Sequence, residues 1–256
     1  MTETTAIIQA RTGSTRLPGK VMYPLDGVHI LAHVVRRVSR AEIINDTVVA
    51  TSTEPPDNVI ERYASMAGAD VIRGSESDVL SRFHRAAKRY SPKILVRITS
   101  DCPLISPETI DEIVRRLMET NADYSTNIID RTFPRGLDVE AFTFESFERV
   151  HNEATAPHHR EHVTPYYREH DDQFDLVSVT SEEVFDEPSM QNRTDLRLTL
   201  DKAADYKLLW EIYDRIEYDE ILPVRDAIKL VNKENLHRLN ADVEQKHLED
   251  ASDDSS

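Results

Sequence analysis

Four short apolar runs punctuate the first hundred residues: TAIIQA (5–10), DTVVATS (46–52), DVIRG (70–74) and KILVRITS (93–100). Each has the length and β-branched content of a buried strand. Between them the apolar positions change period. HILAHVVRRVSRA (29–41), PDNVIERYASMAGA (56–69) and ESDVLSRFHRAAKRY (76–90) repeat every three to four residues, which predicts helices. Strand and helix alternating at this spacing predict βαβ units and a mostly parallel, twisted α/β sheet with helices on both faces. Local signals agree. Ser106 before Pro107 predicts an N-cap followed by a first-turn proline for SPETIDEIVRRLMET (106–120). Ser75, with Asp78 three positions on, predicts a capping box for the helix after DVIRG. Arg82 is expected on that helix's surface.

After about residue 122 the pattern shifts. ADYSTNII, GLDVEAFTF and FDLVSVT read as strands of a mixed or antiparallel region, TFESFERVHNEA as a helix, and HHREHVTPYYREH lies between. DLRLTLDKAADYKLLWEIYDRI then predicts a strand followed by a helix. No repeat or low-complexity linker divides the chain. The expected organisation is one α/β domain over residues 1–240 with a small inserted lobe at about 127–185, then a disordered acidic tail at 241–256.

Composition narrows the function classes. With 31 basic and 47 acidic side chains the net charge is −16, and only eight of the cations are lysine. Such a surface disfavours nucleic acid and anionic membrane as partners. It also fits a high-salt cytoplasm, where such charge is screened; a melting temperature independent of salt would remove that reading. No long apolar run or signal-peptide pattern is present, so a cytoplasmic protein is expected. The single cysteine, Cys102, leaves no disulfide framework or thiolate zinc site and is expected to be a small core residue.

Against this acidic background QARTGSTRLPGK (9–20) gathers Arg11, Arg16 and Lys20 among glycines and small hydroxyl residues, between the first strand and a helix. Gln9, Ala10, Arg11, Gly13, Ser14 and Lys20 could therefore line a phosphate site, with backbone N–H groups approaching the anion and three cations neutralising it. The spacing matches neither the Walker loop nor the dinucleotide fingerprint. Asp101, directly after the strand in VRITSDCPLI, is placed to hold Mg²⁺, and it also reads as a turn aspartate. Asp201 follows DLRLTL in the same way, or caps the next helix. In DRTFPRGLDVEAF, alternation puts Asp138 and Glu140 on one strand face, near Arg135. That pair suits hydrogen bonds to hydroxyls or proton removal, although Glu140 reads equally well as a solvated position. Arg73, Gly74 and Ser75 follow the third strand. The histidines at 158, 159, 162 and 170 show no HExxH pattern and no nearby thiolate, so zinc is not their expected use. Tyr166 and Tyr167 are expected to be packing or interface residues rather than stacking platforms.

QARTGSTRLPGKVM resembles the signature loop of the sugar cytidylyltransferases. These include the acylneuraminate and 3-deoxy-manno-octulosonate enzymes and especially the spore-coat-polysaccharide-type proteins. The resemblance continues in order through RGSESDVLSRF, VRITSDCPLI, GLDVEAFTFESFERV, EHVTPYYREH and LRLTLDKAADYKLL, over about residues 5–215. It implies a Rossmann-like nucleotide-diphospho-sugar transferase fold and transfer of CMP from CTP to a sugar. It implies Mg²⁺ between Asp101 and Asp201, with Lys202 standing where relatives often carry threonine. Arg73, Gly74 and Ser75 would lie near the cytosine, and Arg135, Asp138 and Glu140 near the sugar. Arg11, Arg16, Lys20 and Asp138 would carry catalysis, and a homodimer is implied. A glycosyltransferase using a nucleotide sugar, or a non-catalytic nucleotide- or sugar-binding subunit, would share much of this constellation.

Overall fold

The computed structural model describes residues 3–243; residues 244–256, most of the expected acidic tail, lie outside the described residues. The four apolar runs form β1 (Thr4–Gln9), β4 (Asp46–Ser52), β5 (Asp70–Gly74) and β6 (Ile94–Thr99). A two-residue ribbon, β2 (Pro24–Leu25) with β3 (Val28–His29), follows the cationic loop. Helices α1 (Ile30–Val38), α2 (Asn58–Met66) and α3 (Val79–Tyr90) join the parallel strands, and α4 (Pro107–Thr120) leaves β6.

The chain then adds β7 (Tyr124–Thr126), β8 (Glu140–Thr143), α5 (Phe144–Glu153), α6 (Pro157–His162), α7 (Pro165–Glu169), β9 (Leu176–Ser178) and α8 (Ser181–Val184). It closes with α9 (Ala203–Arg215) and α10 (Val224–Glu234).

One seven-stranded sheet runs β5-β4-β1-β6-β8-β7-β9. β5, β4, β1 and β6 are parallel; β8 pairs antiparallel with both β6 and β7, while β9 is parallel to β7. The segment 127–185 thus continues the central sheet through β8 and β9 and adds α5 to α8 beside it.

Alternation along the buried strands divides the core. Ala6, Ile8, Val49, Val96 and Ile98 face α1, α2 and α4, whereas Ile7, Val48, Ala50 and Leu95 face α3 and α5. This is why these runs are apolar at consecutive positions: both faces are covered. A third cluster packs α9 and α10 on Leu137 and on Leu196, Leu198 and Leu200.

Three local expectations need correction. DLRLTL is not a strand of the sheet: it is an extended segment tied by a single bridge, Arg135 to Arg197, and by Leu200 N–H donating to Asp101 O at 2.9 Å. Its alternating leucines serve the third cluster instead. The N-cap of α3 is Asp78, which accepts from Ser81 N at 3.0 Å, while Ser75 Oγ accepts from Asp78 N one turn earlier. Arg82 is not on the surface but 1% exposed, its guanidinium without a hydrogen-bond partner among the described residues. Its side chain occupies the space where a Cβ on Gly74 would go, 2.8 Å from its Cγ. Ser106 and Pro107 do begin α4 as cap and first-turn proline.

Candidate functional site

β1 has β4 on one side and β6 on the other, so the chain reverses its direction of sheet growth between β1 and β6. Ligands in open α/β sheets sit outside the carboxyl ends of the strands at such a point. There Gln9 pairs with Thr99, and Ser100 N–H donates to Gln9 O at 3.0 Å. This register sets the loop after β1 beside Asp101.

The loop has an internal scaffold. Asp57 accepts from both Thr12 N at 2.8 Å and Thr12 Oγ at 2.6 Å, and Gly19 N–H returns to Thr12 O at 2.9 Å. Gly19 has φ 70°, a left-handed conformation for which glycine is suited. Burial would raise the Asp57 pKa, but hydrogen bonds from Ser52 and Thr12 outweigh it and hold the carboxyl below its ordinary value. Asp57 escaped sequence reading because it is 45 residues from the loop it anchors.

The resulting cleft, about 220 Å³, is bordered by Gln9, Arg11, Ser14, Arg16 and Lys20 together with Thr15, Thr99, Ser100, Asp101 and Asp201. Lys20 is its electrostatic centre. Nζ lies 2.6 Å from Asp101 Oδ2, 2.8 Å from Asp201 Oδ1 and 2.7 Å from Leu200 O. Its pKa is raised: desolvation pulls it down, and the two carboxylates more than compensate. The Asp101 pKa is lowered in turn, burial pushing it up and Lys20 pulling it further down.

Arg16 donates to the same Asp201 oxygen at 2.8 Å and Arg197 to its other oxygen at 2.7 Å. Asp201 is not the cap of α9. Its own N–H and that of Lys202 both donate to Asp205, which also accepts from Arg197 and from Asn240. This buried network fixes the backbone that presents Asp201. Besides bonds three and four positions apart, it joins residues 8 to 43 positions apart, beyond the reach of local pattern reading.

Two carboxylates that converge on one cationic atom have the donor chemistry and spacing for a hard divalent cation. The structure therefore brings together Arg11, Arg16, Lys20, Asp101 and Asp201. Ala10 lies in the core at 1% exposure, and Gly13 faces a neighbouring hollow with Asp57 and Glu76. Arg73 is not brought to the cleft. Its guanidinium is committed to Ser52 O and Glu54 O at the end of β4 and to Asn58 and Glu61 of α2. Gly74 ends β5 and Ser75 follows it, beside Ser77.

A second hollow, about 170 Å³, shares Thr99 with the first. Arg97, Arg131, Arg135 and Arg168 border it, with Asp138, Glu140, His162 and Thr164. Asp138 and Glu140 do share a face, while Leu137, Val139 and Ala141 go to the core. Glu140 is not solvated: it is 3% exposed, paired with Arg97 and Arg168, and accepts from Tyr124 Oη at 2.5 Å. Burial would raise its pKa, and the two guanidiniums hold it low. Asp138 takes both terminal nitrogens of Arg131, at 2.7 and 3.1 Å. Arg135 enters no side-chain hydrogen bond or ion pair among the described residues, and burial pushes its pKa down. Arg97 and Arg168 were missed in the sequence because each sits in an otherwise ordinary strand or helix pattern. Tyr166 and Tyr167 pack as expected, and Cys102 is 3% exposed with burial pushing its thiol pKa well up.

A mostly parallel sheet with a cationic loop and two acidic residues at its switch point suits the binding of a nucleotide's phosphates at that edge. Residues 5–247 match the family model described as cytidylyltransferase. An uncharacterized protein of Methanocaldococcus jannaschii is 37% identical over 94% of this chain and 95% of its own. The spore coat polysaccharide biosynthesis protein SpsF of Bacillus subtilis is 30% identical over 89% of this chain and 93% of its own. The solved cytidylyltransferase of Leptospira borgpetersenii superposes with a TM-score of 0.84 at 31% identity, covering 96% of this chain and all of that one. Two solved structures share the fold at lower identity: a CMP:2-keto-3-deoxy-manno-octonic acid synthetase complexed with CTP (16%, TM-score 0.60) and a Mycobacterium tuberculosis protein in complex with manganese (15%, TM-score 0.56). The chain belongs to the cytidylyltransferase family and is a nucleotidyltransferase.

Proposed function

We propose that this chain activates an acidic sugar with CTP, giving a CMP-sugar and pyrophosphate for surface glycan synthesis. The observation that carries this reading is the pair of connected hollows around Thr99. One has two carboxylates on a common cation; the other has four arginines against two carboxylates. A polyphosphate fits the first. The charge excess of the second, with Arg135 uncommitted, suits a substrate carboxylate.

Mg²⁺ would be held by Asp101 and Asp201 and would neutralise phosphate charge. Arg16 and Lys20 exchange their carboxylate partners for phosphate oxygens as CTP enters, while Arg11 adds a third donor. The sugar hydroxyl oxygen bonds to the α-phosphorus, and the bond from that phosphorus to the pyrophosphate oxygen breaks. Charge building on the leaving group falls among these fixed cations, so acceleration comes from positioning and electrostatics. Asp138 receives the hydroxyl proton: its side chain is 34% exposed, against 4% for Glu140.

Pyrophosphate release should be measured with Mg²⁺ and each nucleoside triphosphate against acidic and neutral sugars, at low salt and in molar KCl. Release with CTP and an acidic sugar alone is the expected result. Release only with neutral sugars would overturn the substrate class. Silence throughout, with CTP still raising the melting temperature, would point to a nucleotide-sugar glycosyltransferase or a binding subunit.

A further inference from the structure

The histidine-rich run is used differently from what its spacing suggests. His158 and His162, four apart, could share a helix face, but the structure joins His158 with its neighbour His159 and with Glu169 on the next helix. His158 Nε2 lies 3.1 Å from Glu169 Oε1, and His159 Nε2 lies 2.6 Å from Glu169 Oε2. The two imidazole centroids are 3.9 Å apart. One ligand atom from each of the three residues falls within 4.8 Å of the others.

We infer that His158, His159 and Glu169 form a binding site for a zinc-class divalent transition ion, separate from the aspartate pair of the nucleotide cleft. The donor set decides the class: two imidazoles and one carboxylate suit Zn²⁺, Co²⁺ or Ni²⁺, whereas Asp101 and Asp201 offer only hard oxygens. The spacing suits it as well. Ligands about 2.0–2.1 Å from a tetrahedral ion stand roughly 3.3 Å from one another. Measured to the one oxygen Glu169 Oε2, His158 Nε2 at 3.3 Å meets that separation, and His159 Nε2 at 2.6 Å must open by about 0.7 Å. Glu169 and His158 are 46% and 37% exposed at their side chains, so an ion can enter from solvent and keep a water ligand.

The rest of the surroundings hold the ligands in place. His159 is 6% exposed, edge-on to Tyr166, and its Nδ1 has no hydrogen-bond partner among the described residues, so Nε2 is the ring's polar anchor. His170 stacks on Tyr166, and its Nδ1–H donates to Tyr166 O at 2.9 Å.

Both hydrogen bonds to Glu169 use the Nε2 atoms that would ligate, so an ion would take the place of the protons shared between rings and carboxylate. An ion here would pin α6 to α7. Those helices carry Glu161, which pairs with Arg11, and His162 and Arg168 of the arginine-rich hollow. Ion binding would thus stiffen the α6–α7 side of the arginine-rich hollow and, through Glu161, the Arg11 edge of the cleft, without touching substrate.

The test uses the full-length, tag-free chain stripped with chelator, titrated with Zn²⁺ by calorimetry and with Co²⁺ by visible absorption, with no nucleotide present. One equivalent is expected, with tetrahedral Co²⁺ bands. Glu169→Gln and His158→Asn, both at exposed side chains, should weaken Zn²⁺ by more than about 100-fold, since loss of a direct ligand exceeds the loss of its supporting group. Metal-free melting temperatures should stay near wild type, and Asp101→Asn should bind Zn²⁺ normally. Equal affinity in wild type and Glu169→Gln, or loss of uptake in Asp101→Asn, would overturn the site. So would the absence of stoichiometric uptake by the wild-type chain. Since neither CTP nor sugar enters the assay, its outcome is independent of the transferase reading.

Discussion

The two hollows around Thr99 treat charge in opposite ways. In the cleft after β1 every cation but Arg11 is held by the cleft's own carboxylates, with Asp201 alone taking Lys20, Arg16 and Arg197. In the hollow beside β8, arginines outnumber carboxylates, and Arg135 has no ion-pair partner among the described residues. The first is balanced until something more anionic displaces its acids from their partners. The second is unbalanced at all times and waits for an anion. Under the proposed function one arrangement would serve exchange and the other selection, the triphosphate entering the first and the acidic sugar the second.

The comparison breaks hardest at Asp101. Asp101→Asn should reduce turnover about 1,000-fold while leaving melting nearly unchanged, as expected for removing preorganised charge at the reacting phosphate. Manganese titration followed by electron paramagnetic resonance would show the accompanying loss of the CTP-dependent ion, and unaltered binding would remove Asp101 from that role.

Gly136→Ala tests what joins the two hollows. Gly136 has φ 104°, and a Cβ would stand 2.6 Å from Leu198 C and Thr199 N, in the segment that delivers Asp201. Strain and overpacking together should cost about 3 kcal/mol by denaturant unfolding. A variant as stable as wild type would show that this segment has room to move.

Glu140→Gln should cost a similar amount, about 3 kcal/mol, because it strands Arg97 and Arg168. It also has a pH signature. The folded pKa of Glu140 lies below its ordinary 4.5, so its contribution is complete above pH 4.5 and fades as pH falls through the lowered value. The variant's acid limb should therefore be shallower than the wild type's over that range; superimposable limbs would mean that another carboxylate sets it.

Smaller and more selective is Arg135→Met. A lost charge-assisted hydrogen bond should raise KM for the acidic sugar about 10- to 100-fold and leave KM for CTP unchanged. Equal rises in both would return Arg135 to a structural role. Finally, Lys20→Met should produce opposite shifts of about tenfold, the worth of one charge-assisted contact. CTP binding weakens, while Mn²⁺ binding to the nucleotide-free chain tightens because the internal cation no longer competes for Asp101 and Asp201. Weakening of both would rule out the exchange.

What the sequence determined by itself was the periodic and the contiguous. The parallel strands of the first half, their helices and the antiparallel turn after residue 122 follow from apolar spacing, because both faces of one sheet region and one face of each helix must be buried. The cationic loop was legible because its residues are neighbours in the chain, and Asp101 because it ends a strand. Only the tertiary structure decided the rest. DLRLTL alternates like a strand, yet its leucines pack on α9 and α10 and it joins no sheet. Arg73 looked available but spends its donors on β4 and α2, while Arg82, read as exposed, is buried under Gly74.

Arg97, Arg168, Arg197, Asp57 and Asp205 became visible only when distant elements met. A charged side chain's role is set by the partner that meets it after folding, and one-dimensional spacing carries no record of that partner. The same reason explains the histidines: sequence paired His158 with His162 by helical period, and the fold paired it with Glu169 across a turn.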